Sequence, residues 1–131
     1  MKSDVLIVED EADIRAMISG ILEDEGSDVR EAATSSDALA AVKSRKPDLV
    51  VLDVWLKGSD MDGIELLSEL KVRYPNMPVI VISGHGTVET AVSAIRKGAF
   101  DYIVKPFKAE KLIVTATRAL EIIACGRKMR S

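Results

Sequence analysis

The sequence has one cysteine and one histidine, and it lacks any long apolar run. A single cysteine excludes an internal disulfide, and Cys125 lies outside any CxxC or metal-like spacing, so it is interpreted as a bystander. No apolar stretch approaches the roughly 20 residues that span a bilayer. The lone thiol and the absence of a signal peptide predict a cytoplasmic chain without membrane contact. The net charge of −3 offers no basic footprint for nucleic acid.

What is present suits one globular domain. The chain has 131 residues, of which 47% are hydrophobic, too many for a disordered chain. We expect residues 1–122 to form one domain. Residues 123–131 are expected to be a C-terminal tail or the start of a linker, because Gly126–Ser131 turns basic and loses the apolar period.

Short apolar runs predict a parallel sheet. Val5–Val8, Leu49–Leu52 and Val79–Ile82 are rich in β-branched residues and do not alternate with polar ones, as is typical of central strands buried on both faces. Phe100–Val104 is a mixed run and predicts a further strand. Val29–Glu31 is polar, which suits an edge strand.

Helical patterns lie between and after these strands, and each apolar stripe is interpreted as a core face. The stripes are Ile14, Met17, Ile18, Ile21 and Leu22; Leu39 and Val42; Leu66, Leu67 and Leu70; Val88, Ala91, Val92 and Ile95; and Leu112, Ala116, Ala119, Leu120 and Ile123. Gly26 is a plausible stop for the first helix. Ser36 is the expected cap of the second, Asp62 and Glu65 have capping-box spacing, and the third helix must end before Tyr74-Pro75.

Strict alternation of strands and helices predicts an α/β fold with a doubly wound parallel sheet. In such sheets ligands bind beyond the carboxyl ends of the strands. The residues that follow or close the strands are polar: Glu9 and Asp10, then Asp53, Ser83 and Lys105. We therefore expect these side chains to converge on one rim of the sheet.

Each of these groups has an ordinary structural alternative. An acid such as Asp10 often caps a helix, Ser83 alone suits a turn, and Lys105 alone suits a solvated surface. Asp53 is harder to explain structurally, because it closes an apolar run, and a carboxylate near the core costs several kcal/mol unless it is paired or bound to a cation.

The combination suggests phosphoryl chemistry. Oxygen ligands without histidine or thiolate favour Mg²⁺ over zinc. Asp53 could then act as a nucleophile that forms an acyl phosphate, with Ser83 and Lys105 stabilising the phosphoryl oxygens.

These residues resemble the receiver domain of bacterial response regulators. Glu9-Asp10, Asp53, Ser83 and Lys105-Pro106 occur in the family's order, each at the end of its strand, and the resemblance covers about residues 4–122. It implies a flavodoxin-like, CheY-like sheet of five parallel strands in the order 2-1-3-4-5.

The resemblance implies roles at a magnesium site. Asp53 corresponds to the phosphoacceptor, and Asp10 to a direct Mg²⁺ ligand. Glu9 corresponds to a second acid that acts through water, although the family more often has Asp there. The backbone carbonyl of Trp55 corresponds to a further metal ligand. The loop around Lys57–Asp60 is two residues longer than the family usually has.

Further implied roles concern switching. Ser83 corresponds to a switch hydroxyl that moves onto the phosphoryl group, and Tyr102 to an aromatic residue whose rotamer follows it. Lys105-Pro106 corresponds to the family's lysine followed by a cis peptide bond. The face made by the fourth helix, fifth strand and fifth helix is expected to control dimerisation or output contacts.

Two segments narrow the resemblance. Ser83–Phe107 is similar to the nitrogen-regulation class of response regulators, and Asp53–Gly63 resembles the NtrX branch of that class. The resemblance implies a sensor histidine kinase and a second copy of the chain as partners. DNA would be contacted only through output domains that this chain lacks. His85 has no assigned role and is interpreted as a loop residue.

Three alternatives remain open. A phosphatase with an aspartyl-phosphate intermediate would usually have a second Asp where Trp55 stands. A flavin-binding module would have a glycine- and hydroxyl-rich loop after the first strand, where Glu9, Asp10 and Glu11 lie. A degenerate receiver would keep the fold without phosphorylation. The expected function is thus a phosphoryl acceptor with slow self-dephosphorylation, not a turnover enzyme.

Overall fold

Five strands and five helices alternate along the chain in the computed structural model, which describes residues 3–54, 62–84 and 88–130, with side chains up to Glu121. The strands are β1 (Asp4–Val8), β2 (Asp28–Ala32), β3 (Leu49–Asp53), β4 (Val79–Ser83) and β5 (Asp101–Val104). The helices are α1 (Ala12–Asp24), α2 (Ser35–Ser44), α3 (Gly63–Arg73), α4 (Val88–Arg96) and α5 (Ala109–Arg130).

The strands form one parallel sheet in the order β2-β1-β3-β4-β5, as predicted. β1, β3 and β4 occupy its centre and their apolar residues are buried on both faces. Alternate strand residues enter two apolar clusters, one with α1 and α5 and the other with α2, α3 and α4. Because helices cover both faces, the polar strand ends remain the natural place for a ligand.

The helix boundaries confirm most of the predicted caps and correct one. Asp62 and Glu65 form the predicted capping box of α3, which ends before Tyr74-Pro75. α1 ends before Gly26, whose φ of 91° lies in the left-handed region that favours glycine. The expected cap Ser36 is wrong: Thr34 caps α2, because its side chain accepts a hydrogen bond from the Asp37 backbone N–H at 3.1 Å.

The apolar stripe of α4 is the second correction. Val88, Val92 and Ile95 are 81%, 42% and 49% exposed, so this stripe is not a core face. Ala94 is the buried residue of the helix and faces the apolar cluster that also contains Ala99. A small residue lets the short helix approach the sheet closely, and the larger apolar side chains point outward.

The last helix continues beyond residue 122, where we expect the domain to end. α5 reaches Arg130, so the chain stays helical through Gly126. The division at residue 122 remains a prediction. Within residues 3–54, 62–84 and 88–130, none of the helices combines the length and apolar character needed to cross a bilayer.

Candidate functional site

The carboxyl ends of four neighbouring strands build the site. Asp53 closes β3 and Ser83 closes β4, and both are buried. Backbone hydrogen bonds continue past the strands: the Val54 N–H donates to the Ile82 carbonyl at 3.0 Å, and the Lys105 N–H donates to the Ser83 carbonyl at 2.8 Å. These bonds fix the backbone at the strand ends, and with it the Cα positions of the polar residues there.

Three acids meet at this rim, as the sequence predicts. One carboxylate oxygen from each of Glu9, Asp10 and Asp53 lies within 4.8 Å of the others. Two carboxylates about 4 Å apart repel by about 4 kcal/mol at an effective dielectric near 20. A hard cation relieves this repulsion, and an all-oxygen donor set suits Mg²⁺, so these residues fit the metal implied by their chemistry.

Lys105 supplies a positive charge to two of these acids. Its Nζ lies 3.2 Å from Glu9 Oε2, 3.4 Å from Glu9 Oε1 and 3.4 Å from Asp53 Oδ2. These contacts are longer than the 2.7–2.9 Å typical of charge-assisted hydrogen bonds. The ammonium group therefore bridges two carboxylates without a close fit to either one.

The electrostatics of Glu9 reflect its surroundings. Glu9 is 1% exposed, and burial raises the pKa of its carboxyl group to about 7, assisted by a hydrogen bond with Asp53 and by the charge of Asp53. Lys105 opposes this increase through its own charge. Burial lowers the pKa of Lys105, but the carboxylates of Asp53 and Glu9 outweigh it and the net change is upward.

Gly63 is part of the site's framework that sequence reasoning missed. A Cβ atom at Gly63 would overlap the Asp53 carbonyl oxygen and lie 2.6 Å from Val54 Cα. The Gly63 N–H also donates to the Val54 carbonyl at 2.7 Å. The start of α3 therefore packs directly on the backbone that carries Asp53. The available signal was a glycine directly after the N-cap Asp62, because glycine is used where one backbone approaches another closely.

The remaining predicted site residues divide into two groups. Lys105-Pro106 has the predicted cis peptide bond. Tyr102 has a buried hydroxyl group, which has no hydrogen-bond partner among the residues that the structure describes. Trp55, the Lys57–Asp60 loop and His85 lie outside the described residues, so their predicted roles stay predictions.

Comparison with known proteins finds a matching family model and similar relatives. The sequence model of the response regulator receiver domain matches residues 5–117. The nitrogen assimilation regulatory protein NtrX of Azorhizobium caulinodans is 51% identical over 130 residues, which cover 99% of this chain and 29% of that protein. The chain thus spans less than a third of the length of this relative.

Two solved receiver-domain structures are also similar to this chain. The receiver domain of NtrX from Brucella abortus is 58% identical and has a TM-score of 0.87, with 90% of this chain and 98% of that one covered. The solution structure of a beryllofluoride-activated NtrC4 receiver domain dimer is 42% identical, with a TM-score of 0.84, and covers 90% of this chain and 96% of that one.

Proposed function

The chain belongs to the family of response regulator receiver domains, and on this premise we propose that it accepts a phosphoryl group on Asp53. The observation that carries the proposal is the position of this carboxylate. It is buried at the end of β3, 3.4 Å from Lys105 Nζ and within 4.8 Å of oxygens of Glu9 and Asp10. A nucleophile placed there has an ammonium group and acidic metal ligands within reach.

The proposed donor is phosphohistidine on a sensor histidine kinase. A carboxylate oxygen of Asp53 attacks phosphorus, the P–O bond forms as the P–N bond breaks, and the electron pair of the P–N bond returns to the imidazole. The product is an aspartyl phosphate. The Lys105 ammonium group then stabilises negative charge on the phosphoryl oxygens, and the Ser83 hydroxyl donates a hydrogen bond to one of them.

The proposed cofactor is Mg²⁺, which when bound neutralises charge on the carboxylates and the incoming phosphoryl group. Asp10 and Asp53 would hold it directly and Glu9 through water, with the backbone carbonyl of Trp55 as a further ligand. The convergence of one oxygen from each of Glu9, Asp10 and Asp53 supports this assignment, because a divalent cation would relieve the repulsion between these acids.

The proposed output of phosphorylation is a change in one surface of the domain. Ser83 moves toward the phosphoryl group, and Tyr102 follows. The face formed by α4, β5 and α5 then changes, and a second copy of the chain docks there. Exposed apolar residues support this location: Val92 on α4, Val104 on β5 and Val114 on α5. The NtrC4 structure is described as an activated dimer, which is consistent with this type of assembly.

The proposed role of the longer protein is transcriptional control in nitrogen regulation. The name of the Azorhizobium relative refers to nitrogen assimilation, and that protein extends far beyond the matched segment. Contact with DNA is assigned to output domains outside this segment. The aspartyl phosphate is expected to hydrolyse slowly, so that the receiver persists as a switch instead of turning over a small substrate.

Intact-mass analysis after incubation with acetyl phosphate and Mg²⁺ tests the proposal. We expect a gain of one phosphoryl group in the wild type and in the control D37N, an exposed acid on α2. D53N should show no gain. Labelling that persists in D53N would overturn the assignment of Asp53. No labelling of the wild type would favour a degenerate receiver, and sustained phosphate release from a phosphomonoester would favour the phosphatase alternative.

A further inference from the structure

Arg15, on α1, contacts the backbone of Glu9, which with Asp10 forms the acidic pair that follows β1. Its Nη1 donates a hydrogen bond to the Glu9 carbonyl oxygen at 2.8 Å, and its Nε donates to Glu31 Oε1 at 3.1 Å. The same side chain therefore joins α1 to the end of β1 and to the edge strand β2. We infer that Arg15 is a positioning residue for Glu9 and Asp10, an inference that rests on the proposed metal site.

The Glu9 carbonyl that accepts from Arg15 lies just past the end of the pairing between β1 and β2. The β1–β2 register ends at Val8 and Ala32, and the Glu9 N–H makes the last ladder bond, to the Ala32 carbonyl at 3.0 Å. The Glu9 carbonyl follows, in the peptide unit that links Glu9 to Asp10. By binding it, Arg15 restrains the orientation of this peptide unit and so the direction in which both acidic side chains leave the backbone.

Glu31 in turn holds Arg15. The guanidinium group has several N–H donors in a fixed planar arrangement, so one bond to Glu31 orients the other toward the Glu9 carbonyl. A cation in the early part of a helix is unfavourable with respect to the helix dipole. The Glu9 carbonyl and the Glu31 carboxylate compensate for this position. Neither contact could be predicted from the local sequence around Arg15.

Arg30, in the middle of β2, provides a control because its side chain bonds to Asp4 at the opposite end of the sheet. It also bonds to one carboxylate, that of Asp4, and to backbone carbonyls, those of Ala41 and Arg45. Its side chain is 24% exposed, close to the 21% of Arg15. Substituting Arg30 removes four hydrogen bonds and substituting Arg15 removes two, so R30Q is the larger loss of contacts. Of the two arginines, Arg15 is the one that contacts the backbone of Glu9.

Calorimetric titration with Mg²⁺, at a temperature where each variant is folded, tests the inference. We expect R15Q to raise the dissociation constant about 10-fold, as for other residues that orient metal ligands. R15K should raise it less, because an ammonium group keeps the charge without the fixed fork. R30Q should lower the unfolding temperature and leave Mg²⁺ affinity unchanged.

The outcomes separate this inference from the proposed function. Absence of Mg²⁺ binding in the wild type would overturn the metal site and the role of Arg15 together. Normal wild-type binding with an unchanged dissociation constant in R15Q would overturn the role of Arg15 alone. An equal increase in R15Q and R30Q would also overturn it, because general destabilisation would then explain the effect. If R15Q does not fold, R15K decides the question by the same criteria.

Discussion

The two ends of the sheet contain charged clusters that differ in the lengths of their hydrogen bonds. At the amino end, the Asp4 carboxylate accepts hydrogen bonds from Arg30 at 3.0 Å through both oxygens and from Arg45 at 2.8 Å. At the carboxyl end, Lys105 lies 3.2–3.4 Å from Glu9 and Asp53 oxygens. The bonds to Asp4 measure 2.8–3.0 Å, whereas the contacts of Lys105 are longer and lie among crowded acids.

This difference separates stability from function. Two guanidinium groups match the Asp4 carboxylate, so that cluster is complete as it stands. At the other end, the Lys105 ammonium group is shared between the carboxylates of Glu9 and Asp53, and burial adds to the cost of their charge. We expect an arrangement of this kind to stabilise the fold little before the proposed cation and phosphoryl group bind. We expect substitutions at the two ends to affect different measurements.

The largest expected effect is at Gly63, where the backbone supports the carboxyl-end cluster. G63A places a Cβ atom against the Asp53 and Val54 backbone, and we expect a loss of about 3 kcal/mol in the free energy of unfolding. Urea denaturation measures this loss.

G20A is the matched control for G63A. Gly20 lies inside α1, and in the part of the chain that the structure describes no atom beyond its own helix backbone and its two chain neighbours lies within 4 Å of an added Cβ. We expect G20A to stabilise the protein by about 0.5–1 kcal/mol, because alanine favours a helix. A G63A variant as stable as the wild type would contradict the close packing of α3 on β3.

The next effect concerns the pH dependence of the metal-free protein. Since the pKa of Glu9 is about 7 in the fold and 4.5 in its unperturbed state, the native state binds more protons between these values. The stability that protonated Glu9 contributes is complete below pH 4.5 and is lost as the pH rises through 7. A shift of this size corresponds to at most about 3 kcal/mol.

E9Q removes this titration, so it tests whether Glu9 at the carboxyl end causes the pH dependence of stability. We expect E9Q to gain stability over the wild type as the pH rises from 4.5 to 8, measured by urea denaturation without metal. Excess Mg²⁺ should reduce the advantage by stabilising the wild type. A stability difference that does not change with pH would contradict the raised pKa of Glu9.

A smaller effect is expected at the amino end. D4N removes the charge that pairs with Arg30 and Arg45, and we expect the free energy of unfolding to fall by about 2 kcal/mol, because the pairs are partly buried. Phosphorylation by acetyl phosphate should keep its wild-type extent at a temperature where the variant is folded. A loss of phosphorylation in folded D4N would contradict the assignment of stability to the amino end and of phosphorylation to the carboxyl end.

The smallest effect is expected at Tyr102. Its hydroxyl group is buried without a partner among the described residues, so Y102F removes an unsatisfied polar atom and keeps the ring. We expect a stabilisation of about 1 kcal/mol by urea denaturation. Destabilisation of similar size would show that the hydroxyl group makes a bond that matters for folding.

Much of the fold follows from the sequence because parallel strands buried on both faces need continuous apolar runs. Val5–Val8 and Val79–Ile82 carry this signal, and the strand-end rule then locates Asp53 and Lys105. The α4 stripe was wrong because helical periodicity finds an apolar face without saying what covers it. Ala94 packs on the sheet, whereas Val88 faces outward.

Other features depend on contacts between distant segments. Gly63 matters because α3 returns to the backbone of Asp53, and Arg15 because α1 runs beside β2 and the end of β1. No local pattern contains these distances. The predicted cap at Ser36 was wrong for a smaller reason, since Thr34, two positions earlier, is an equally suitable residue type.

The most direct test of the account is to locate the phosphoryl group within the chain. After incubation with acetyl phosphate and Mg²⁺, borohydride reduction converts an aspartyl phosphate to homoserine, and peptide mass analysis then locates the modified residue. We expect homoserine at position 53 and unmodified Asp10 and Ser83. Homoserine at position 10, or an acid-stable phosphoserine at Ser83 in place of the aspartyl phosphate, would contradict it.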